Sequence, residues 1–296
     1  MFPIDYIEPV FRPPSEARSL ILPLTNGCSW NKCTYCEMYT QPQKKFRARK
    51  AEDIKADIAR AAQSLGSVRR VFLADGDAMV LPAHRLLEVL GWLWEAFPQL
   101  ERVSSYCLPR NLARKTVAEL TALREAGLEL MYVGMESGDD EVLRRINKGE
   151  TYESTRSALE KIHAAGMTSS VMVLNGLGGE LLSEQHAVNT ARLCNDTQPH
   201  YLSTLVVSFP MGDQRFREGF GEGFVPLSQQ GLFEEIRLLI SHLELKGTVF
   251  RSDHASNYLV LKGQLPEDKP RLLRELDLAI NQPGAVPLRQ EWQRGL

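Results

Sequence analysis

The stretch 70–107, RVFLADGDAMVLPAHRLLEVLGWLWEAFPQLERVSSYC, carries two strand-like runs on either side of a helical one. Arg70 to Ala74 is apolar and compact, Leu86, Leu90, Leu93 and Phe97 recur at helical spacing, and Val103 to Cys107 returns to strand character. Strand, helix and strand in that order make a βαβ unit, whose two strands run parallel. The same rhythm extends both ways. Strands are expected at Leu20 to Leu24, Leu130 to Met135, Ser170 to Leu174 and Leu202 to Val207, with a weaker seventh at Thr248 to Arg251. Helical faces are marked by Ile54, Ile58 and Leu65, by Val117, Leu120 and Leu123, by Val142, Leu143 and Ile146, and by Leu232, Ile236, Leu239 and Leu243. Right-handed crossovers would wind these strands into one curved α/β sheet. Periodicity leaves the choice between an open doubly wound sheet and a full or partial barrel open, but both place ligands at the strands' carboxyl ends. The unusual residues do follow strands: a cysteine loop the first, Asp75-Gly76-Asp77 the second, Glu136-Ser137 the fourth and Asn175-Gly176 the fifth.

Composition bounds the function. With 43% hydrophobic and 24% charged residues in 296, the chain reads as globular, neither disordered nor fibrous. A formal charge of -2 gives no electrostatic reason to expect nucleic acid or an anionic membrane as partner. No run approaches the roughly 20 apolar residues of a membrane span, and Met1 to Pro14 lacks a signal core, so a cytoplasmic protein is expected. Three of the five cysteines crowd between positions 28 and 36, which suits metal ligation in a reducing compartment better than disulfides.

The loop Gly27-Cys28-Ser29-Trp30-Asn31-Lys32-Cys33-Thr34-Tyr35-Cys36 sets three soft thiols where they could reach one centre. Such ligands suit an Fe–S cluster or zinc. Structural zinc closes a tetrahedron, and no second paired-ligand knuckle follows; Cys107 or one of the six histidines would have to complete it. A cubane held by three thiolates instead keeps one iron open. A CxxC redox pair is the third reading.

The triad after the first strand, with Tyr35 just before the last cysteine, resembles the radical S-adenosylmethionine (radical SAM) family. Its departure from the family's usual spacing is Cys28 to Cys33, which encloses four residues where three are usual. The resemblance implies a [4Fe-4S] cluster on Cys28, Cys33 and Cys36, with S-adenosylmethionine chelating the open iron. It also implies a partial (β/α)6 TIM-like barrel, matched over Leu20 to Val207. Phe72 to Asp77 is similar to the family's glycine-glycine-acid turn, with Asp75 in place of the first glycine, so Gly76 and Asp77 would receive the cofactor's ammonium. The stretch Tyr132 to Gly149 looks like one shared by the coproporphyrinogen oxidase and methylthiotransferase branches. By that likeness Glu136 and the neighbouring Ser137 belong to the cofactor site, Glu136 accepting from a ribose hydroxyl or ammonium, and Lys148 pairs with the cofactor carboxylate. Ser137 or Asp139 as helix N-cap and Lys148 as a C-terminal dipole partner are the local alternatives. Asn175 and Gly176 resemble the fifth-strand end that lies against adenine.

The expected organisation is a lead-in over 1–19, a barrel over 20–252 and a C-terminal extension over 253–296. The reaction implied is reductive cleavage of S-adenosylmethionine to a 5′-deoxyadenosyl radical that takes hydrogen from a substrate. The electron would come from an external donor such as flavodoxin or ferredoxin. Only Cys107 and Cys194 remain outside the triad, so no auxiliary cluster is expected. A zinc-stabilised barrel and a non-catalytic Fe–S protein of electron transfer or assembly are the rivals. Fold and cofactor do not name a substrate. Candidates for its side are Asp253 and His254, in a polar cluster after the seventh strand, under a lid expected at Phe209 to Phe224. A local turn and a fixed surface loop explain the same residues. Cys194 reads as packed, Lys44 to Lys50 as a solvated linker, and Asn281 to Leu296 as a loosely held tail.

Overall fold

The computed structural model describes residues 3–295. Two compact units are present: one takes the chain up to Asn31 with Cys36–Val133 and Ala158–Ser169, the other Lys32–Tyr35, Gly134–Ser157 and the chain from Ser170.

The first unit contains β1 (Leu20–Pro23), β2 (Thr25–Asn26), β3 (Arg47–Ala48), α1 (Ala51–Ser64), β4 (Arg70–Ala74), α2 (Ala83–Ala96), β5 (Arg102–Cys107), α3 (Pro109–Ala113) and α4 (Val117–Glu125). It also holds β6 (Leu128–Glu136) as far as Val133. The order β1-β4-β5-β6 is parallel throughout. Val71, Phe72 and Leu73 are wholly buried, as a strand covered on both faces requires. One face packs Phe72, Ala74, Leu130 and Tyr132 with Ile21 and Tyr106. Against the sheet, α1 and α2 bury Ile54, Ile58, Leu86, Leu90 and Leu93, each contributing roughly 1.5–3 kcal/mol of transfer free energy. Leu65, expected on the α1 face, lies beyond the helix and is exposed. The lead-in is anchored by buried Glu16, which accepts from Tyr132 (2.7 Å) and Arg102 (2.9 Å).

The basic run is solvated over Lys45 to Ala48 and at Lys50, but it is tied down at its other residues. Arg47–Ala48 pairs antiparallel with Thr25–Asn26, Arg49 donates to Asp57 (2.6 Å), and Lys44 is buried against Asp75 (2.5 Å). The buried carboxylates at Asp57 and Asp75 explain this, because such charges need cationic partners: Lys44 serves Asp75, and Arg49 serves Asp57 together with Arg60.

The second unit carries the end of β6, then α5 (Asp140–Arg145), the start of α6 (Tyr152–Ala164), most of β7 (Thr168–Asn175), α7 (Gly179–Thr197), β8 (Tyr201–Val206), α8 (Gln214–Phe220), α9 (Gln229–His242), β9 (Thr248–Ser252), β10 (Leu261–Leu265) and α10 (Lys269–Asn281). Here β7, β8 and β9 are parallel, and β10 closes antiparallel on β9. The weak seventh strand is thus a full member of the sheet, and β10, with Lys262 and Gly263 at its middle, was not expected.

Two further expectations fail. The segment Phe209 to Phe224 is not a loop outside the core: it contains α8, and Phe216, Phe220 and Phe224 are buried with Val142, Leu143, Ile146, Leu177 and Leu182. Phe216 and Phe220 share one face of α8, Phe224 packs on them from beyond the helix, and the three rings sit 4.7–5.7 Å apart. Nor is the tail loose. Arg289 donates to the carbonyls of His254 (2.6 Å) and Asn257 (2.9 Å), and Arg294 reaches the Ser256 carbonyl while lying 3.8 Å from the Tyr258 ring. Among the described residues, no helix is long and apolar enough to cross a membrane.

Candidate active site

The cysteine loop runs between β2 and β3. Cys28, Cys33 and Cys36 are each partly exposed. Cys28 and Cys36 belong to the first unit and Cys33 to the second. Among the described residues, no three His, Cys, Asp or Glu side chains are gathered as a metal-binding group. The longer Cys28–Cys33 segment turns at Asn31, whose φ of 43° is left-handed and whose side chain donates to the Tyr39 carbonyl (2.8 Å). Trp30 is stacked by Arg110 at 3.9 Å. On the other side of the segment, Thr34 donates its amide to the Ile146 carbonyl (2.9 Å).

In the first unit the turn after β4 meets this loop. Gly76 has no room for a side chain, since a Cβ there would lie 2.5 Å from the Tyr39 ring. Asp77 is fully buried, and its Oδ2 accepts the Ser29 amide (3.2 Å) and the Ser29 hydroxyl. Burial pushes the Asp77 carboxyl up to about 6, opposed by hydrogen bonds from Ser29 and Asn111 and by the Arg110 charge. Among the described residues, Asp77 Oδ1 has no hydrogen-bond partner. Asp75 accepts from the Gly27 amide (3.0 Å) and from Lys44, and its Oδ1 is likewise buried without a partner.

In the second unit Glu136 ends β6 with φ 61°, a left-handed conformation that costs a residue with a side chain ~1–3 kcal/mol. It is buried and accepts from Lys148 Nζ (2.9 Å), which also donates to the Tyr35 hydroxyl (3.1 Å). The structure therefore brings Tyr35, Glu136 and Lys148 together. Space is tight there, because a Cβ on Gly134 would fall 2.3 Å from Glu136 Oε1. Ser137 is turned inward and wholly buried. It bonds His186 Nδ1 (2.7 Å) and accepts the Asp139 amide (3.0 Å), while Asp139 is the N-cap of α5, accepting from Val142 (2.9 Å).

Asn175 is buried at the end of β7, and Gly176, with φ 82°, donates its amide to Glu235 (2.6 Å). Glu235 also accepts from Ser183 (2.6 Å). His186 Nε2 faces the Leu174 carbonyl (3.1 Å), while Nδ1 bonds the Ser137 hydroxyl (2.7 Å). His186 and Glu235 thus support the Ser137 and Gly176 ends of two strands, and neither was anticipated. The signal existed: Glu235 lies on the Leu232, Ile236, Leu239 stripe of α9, where an acid has to be paired inside.

Asp253 and His254 follow β9. Asp253 pairs with Lys262 (2.8 Å), and half-buried His254 bonds Ser256 (2.9 Å) through Nδ1. Burial first, and the nearby Arg289 charge second, hold the His254 imidazole below its ordinary value. The rest of the cluster braces β8, with Ser256 and Asn257 accepting from the Val206 amide and Asn257 donating to the Thr204 carbonyl (2.9 Å).

The radical SAM superfamily model matches residues 22–194, more than half the chain, and the chain belongs to that superfamily. It is 21% identical over 182 residues to the heme chaperone HemW of Bacillus subtilis (strain 168), covering 59% of this chain and 47% of that protein. It is 28% identical over 181 residues to the oxygen-independent coproporphyrinogen III oxidase of Paracoccus denitrificans (strain Pd 1222), covering 57% and 40%. The chain spans under half the length of these curated relatives. Among solved structures, coproporphyrinogen III oxidase (HemN) from Escherichia coli, a radical SAM enzyme, matches with a TM-score of 0.57 at 16% identity, over 75% of this chain and 52% of that one. At that identity the likeness speaks for the fold, and it bears out the partial TIM-like barrel. Members of the superfamily are enzymes that use a [4Fe-4S] cluster and S-adenosylmethionine and draw an electron from an external donor.

Proposed function

We propose that this chain is a single-cluster radical SAM enzyme, with Cys28, Cys33 and Cys36 as the cluster ligands. The observation that carries the reading is the family match over 22–194, which contains the triad and the strand ends after β1, β4, β6 and β7. The donor set fits: three partly exposed thiols on one loop suit a cluster with one open iron. When bound, the reduced cluster and S-adenosylmethionine supply a 5′-deoxyadenosyl radical that takes hydrogen from the substrate.

The residues present also fit the cofactor. Asp77 Oδ1, buried and without a partner among the described residues, suits an ammonium donor, and half-buried Gly76, packed against the Tyr39 ring, is the proposed backbone contact beside it. Lys148 suits a carboxylate, while Glu136 holds it in place and can accept from a hydroxyl. Tyr35 steadies the lysine from the loop. Ser137 acts from behind, through His186, and Asn175 and Gly176 form the strand end proposed for adenine. On the substrate side, His254 and Asp253 remain the candidates. The electron donor would be a flavodoxin or ferredoxin, and the compartment the cytoplasm.

Anaerobic reconstitution tests the reading. About four iron and four sulfide per chain, a brown protein and 5′-deoxyadenosine on reduction with S-adenosylmethionine are expected. A colourless zinc protein with no iron uptake would overturn it. A cluster without cofactor cleavage would favour a non-catalytic cluster protein, the reading that similarity to a heme chaperone supports.

A further inference from the structure

We propose that Asp75 and Asp77 are positioning residues for Cys28, gripping the backbone on both sides of it from the end of β4. The inference rests on Cys28 being a cluster ligand. Asp75 takes the amide of Gly27 (3.0 Å), and Asp77 takes the amide of Ser29 (3.2 Å) together with its hydroxyl. Both contacts join residues 48 positions apart, so they are tertiary clamps and not local turns. Both acids are buried, at 1% and 0% exposure, and Asp75 is neutralised by Lys44, itself 1% exposed.

Holding the residues before and after a ligand fixes the direction of its Cα–Cβ bond, which is how supporting residues set a metal ligand's approach. The need is specific to this chain. Cys28 is separated from Cys33 by four residues, and that segment turns through a left-handed asparagine, so the far cysteines constrain Cys28 weakly along the chain. The grip from β4 replaces that constraint with a rigid one. It also divides the work of Asp77, with Oδ2 on the loop and Oδ1 left to a ligand.

The test uses the full chain as Asp77→Ala, Asp77→Asn and Ser29→Ala, each first shown to be folded by circular dichroism. In apoprotein, the alkylation rate of Cys28 relative to Cys33 and Cys36 is read by mass spectrometry. Asp77→Ala should change that ratio about fivefold or more, and Asp77→Asn, which keeps an acceptor for Ser29, should stay within about twofold of wild type. In reconstituted protein, iron release to a chelator should be roughly tenfold faster in Asp77→Ala and near normal in Asp77→Asn. Wild-type ratios and release in Asp77→Ala overturn the clamp. Should that variant not fold, Ser29→Ala carries the test, with a smaller change in the same direction expected and no change overturning it. Failure of wild type to take up iron overturns the cluster reading instead, while the alkylation ratio still reports the clamp.

Discussion

Glu136 is already paired with Lys148, and that pairing sets what its mutation does. Glu136→Ala strands a buried ammonium and should cost about 3–5 kcal/mol in urea unfolding, whereas Glu136→Gln keeps an acceptor and should cost much less. Glu136→Gln is therefore the variant in which to measure cofactor affinity: weaker S-adenosylmethionine binding with the cluster intact is expected, and unchanged affinity would remove Glu136 from the site. Single alanine replacements of Cys28, Cys33 or Cys36 should abolish the cluster and turnover. Cys194→Ala should retain both, since that thiol is wholly buried and pushed up to about 12 by burial. His254 gives a pH signature. Its folded imidazole is held below the ordinary 6.5, so the stability it contributes is present above 6.5 and is lost as pH falls towards the folded value. Thermal melts between pH 7.5 and 5 should fall less steeply for His254→Gln than for wild type, and identical slopes would contradict this.

At the scale of elements, α8 behaves as core. Phe216 is 1% exposed among seven other buried apolar side chains, so Phe216→Ala should destabilise the protein by ~3–5 kcal/mol. A hinged lid would instead show a changed KM with little loss of stability, and denaturant unfolding beside steady-state kinetics separates the two. From the sequence, Phe209 to Phe224 reads equally as a lid or as a fixed surface loop. Only the presence of Val142, Leu143 and Leu177 opposite decided the matter. The β9–β10 turn is similar. Its polar residues were legible as turn-formers or as a site, and the structure shows Asn257 and Ser256 satisfying β8, with Arg289 bound to the Asn257 carbonyl and Arg294 to that of Ser256. β10 escaped notice because five residues with Lys262 and Gly263 at the centre match an edge strand as easily as a loop.

For the molecule as a whole, ligand linkage gives a further expectation. S-adenosylmethionine should raise the melting temperature of reconstituted protein, by up to about 2.7 kcal/mol of added stability at a hundredfold excess over Kd, and leave apoprotein unmoved. A shift of equal size without cluster would detach cofactor binding from the cysteines. The parallel strands β4 to β8 and their helices were readable because period-2 and period-3.6 patterns are written by each element's own burial, and Arg70–Ala74 was placed to the residue. The cysteine triad was readable because three cysteines within nine residues stand out in the chain itself. What the chain order could not show is which polar groups meet across long separations. Lys44 reads as one more charge in a basic run, yet it neutralises Asp75; Asp77 reads as a cofactor ligand, yet it also holds Ser29; and His186, which supports Ser137, carries no local signal. Local pattern follows from the free energy of burying a single element, so the sequence by itself determined the element types, the βαβ order and the place of the cysteine loop. The partners of buried charges are chosen by low dielectric and geometry once those elements have packed, and only the tertiary structure decided them.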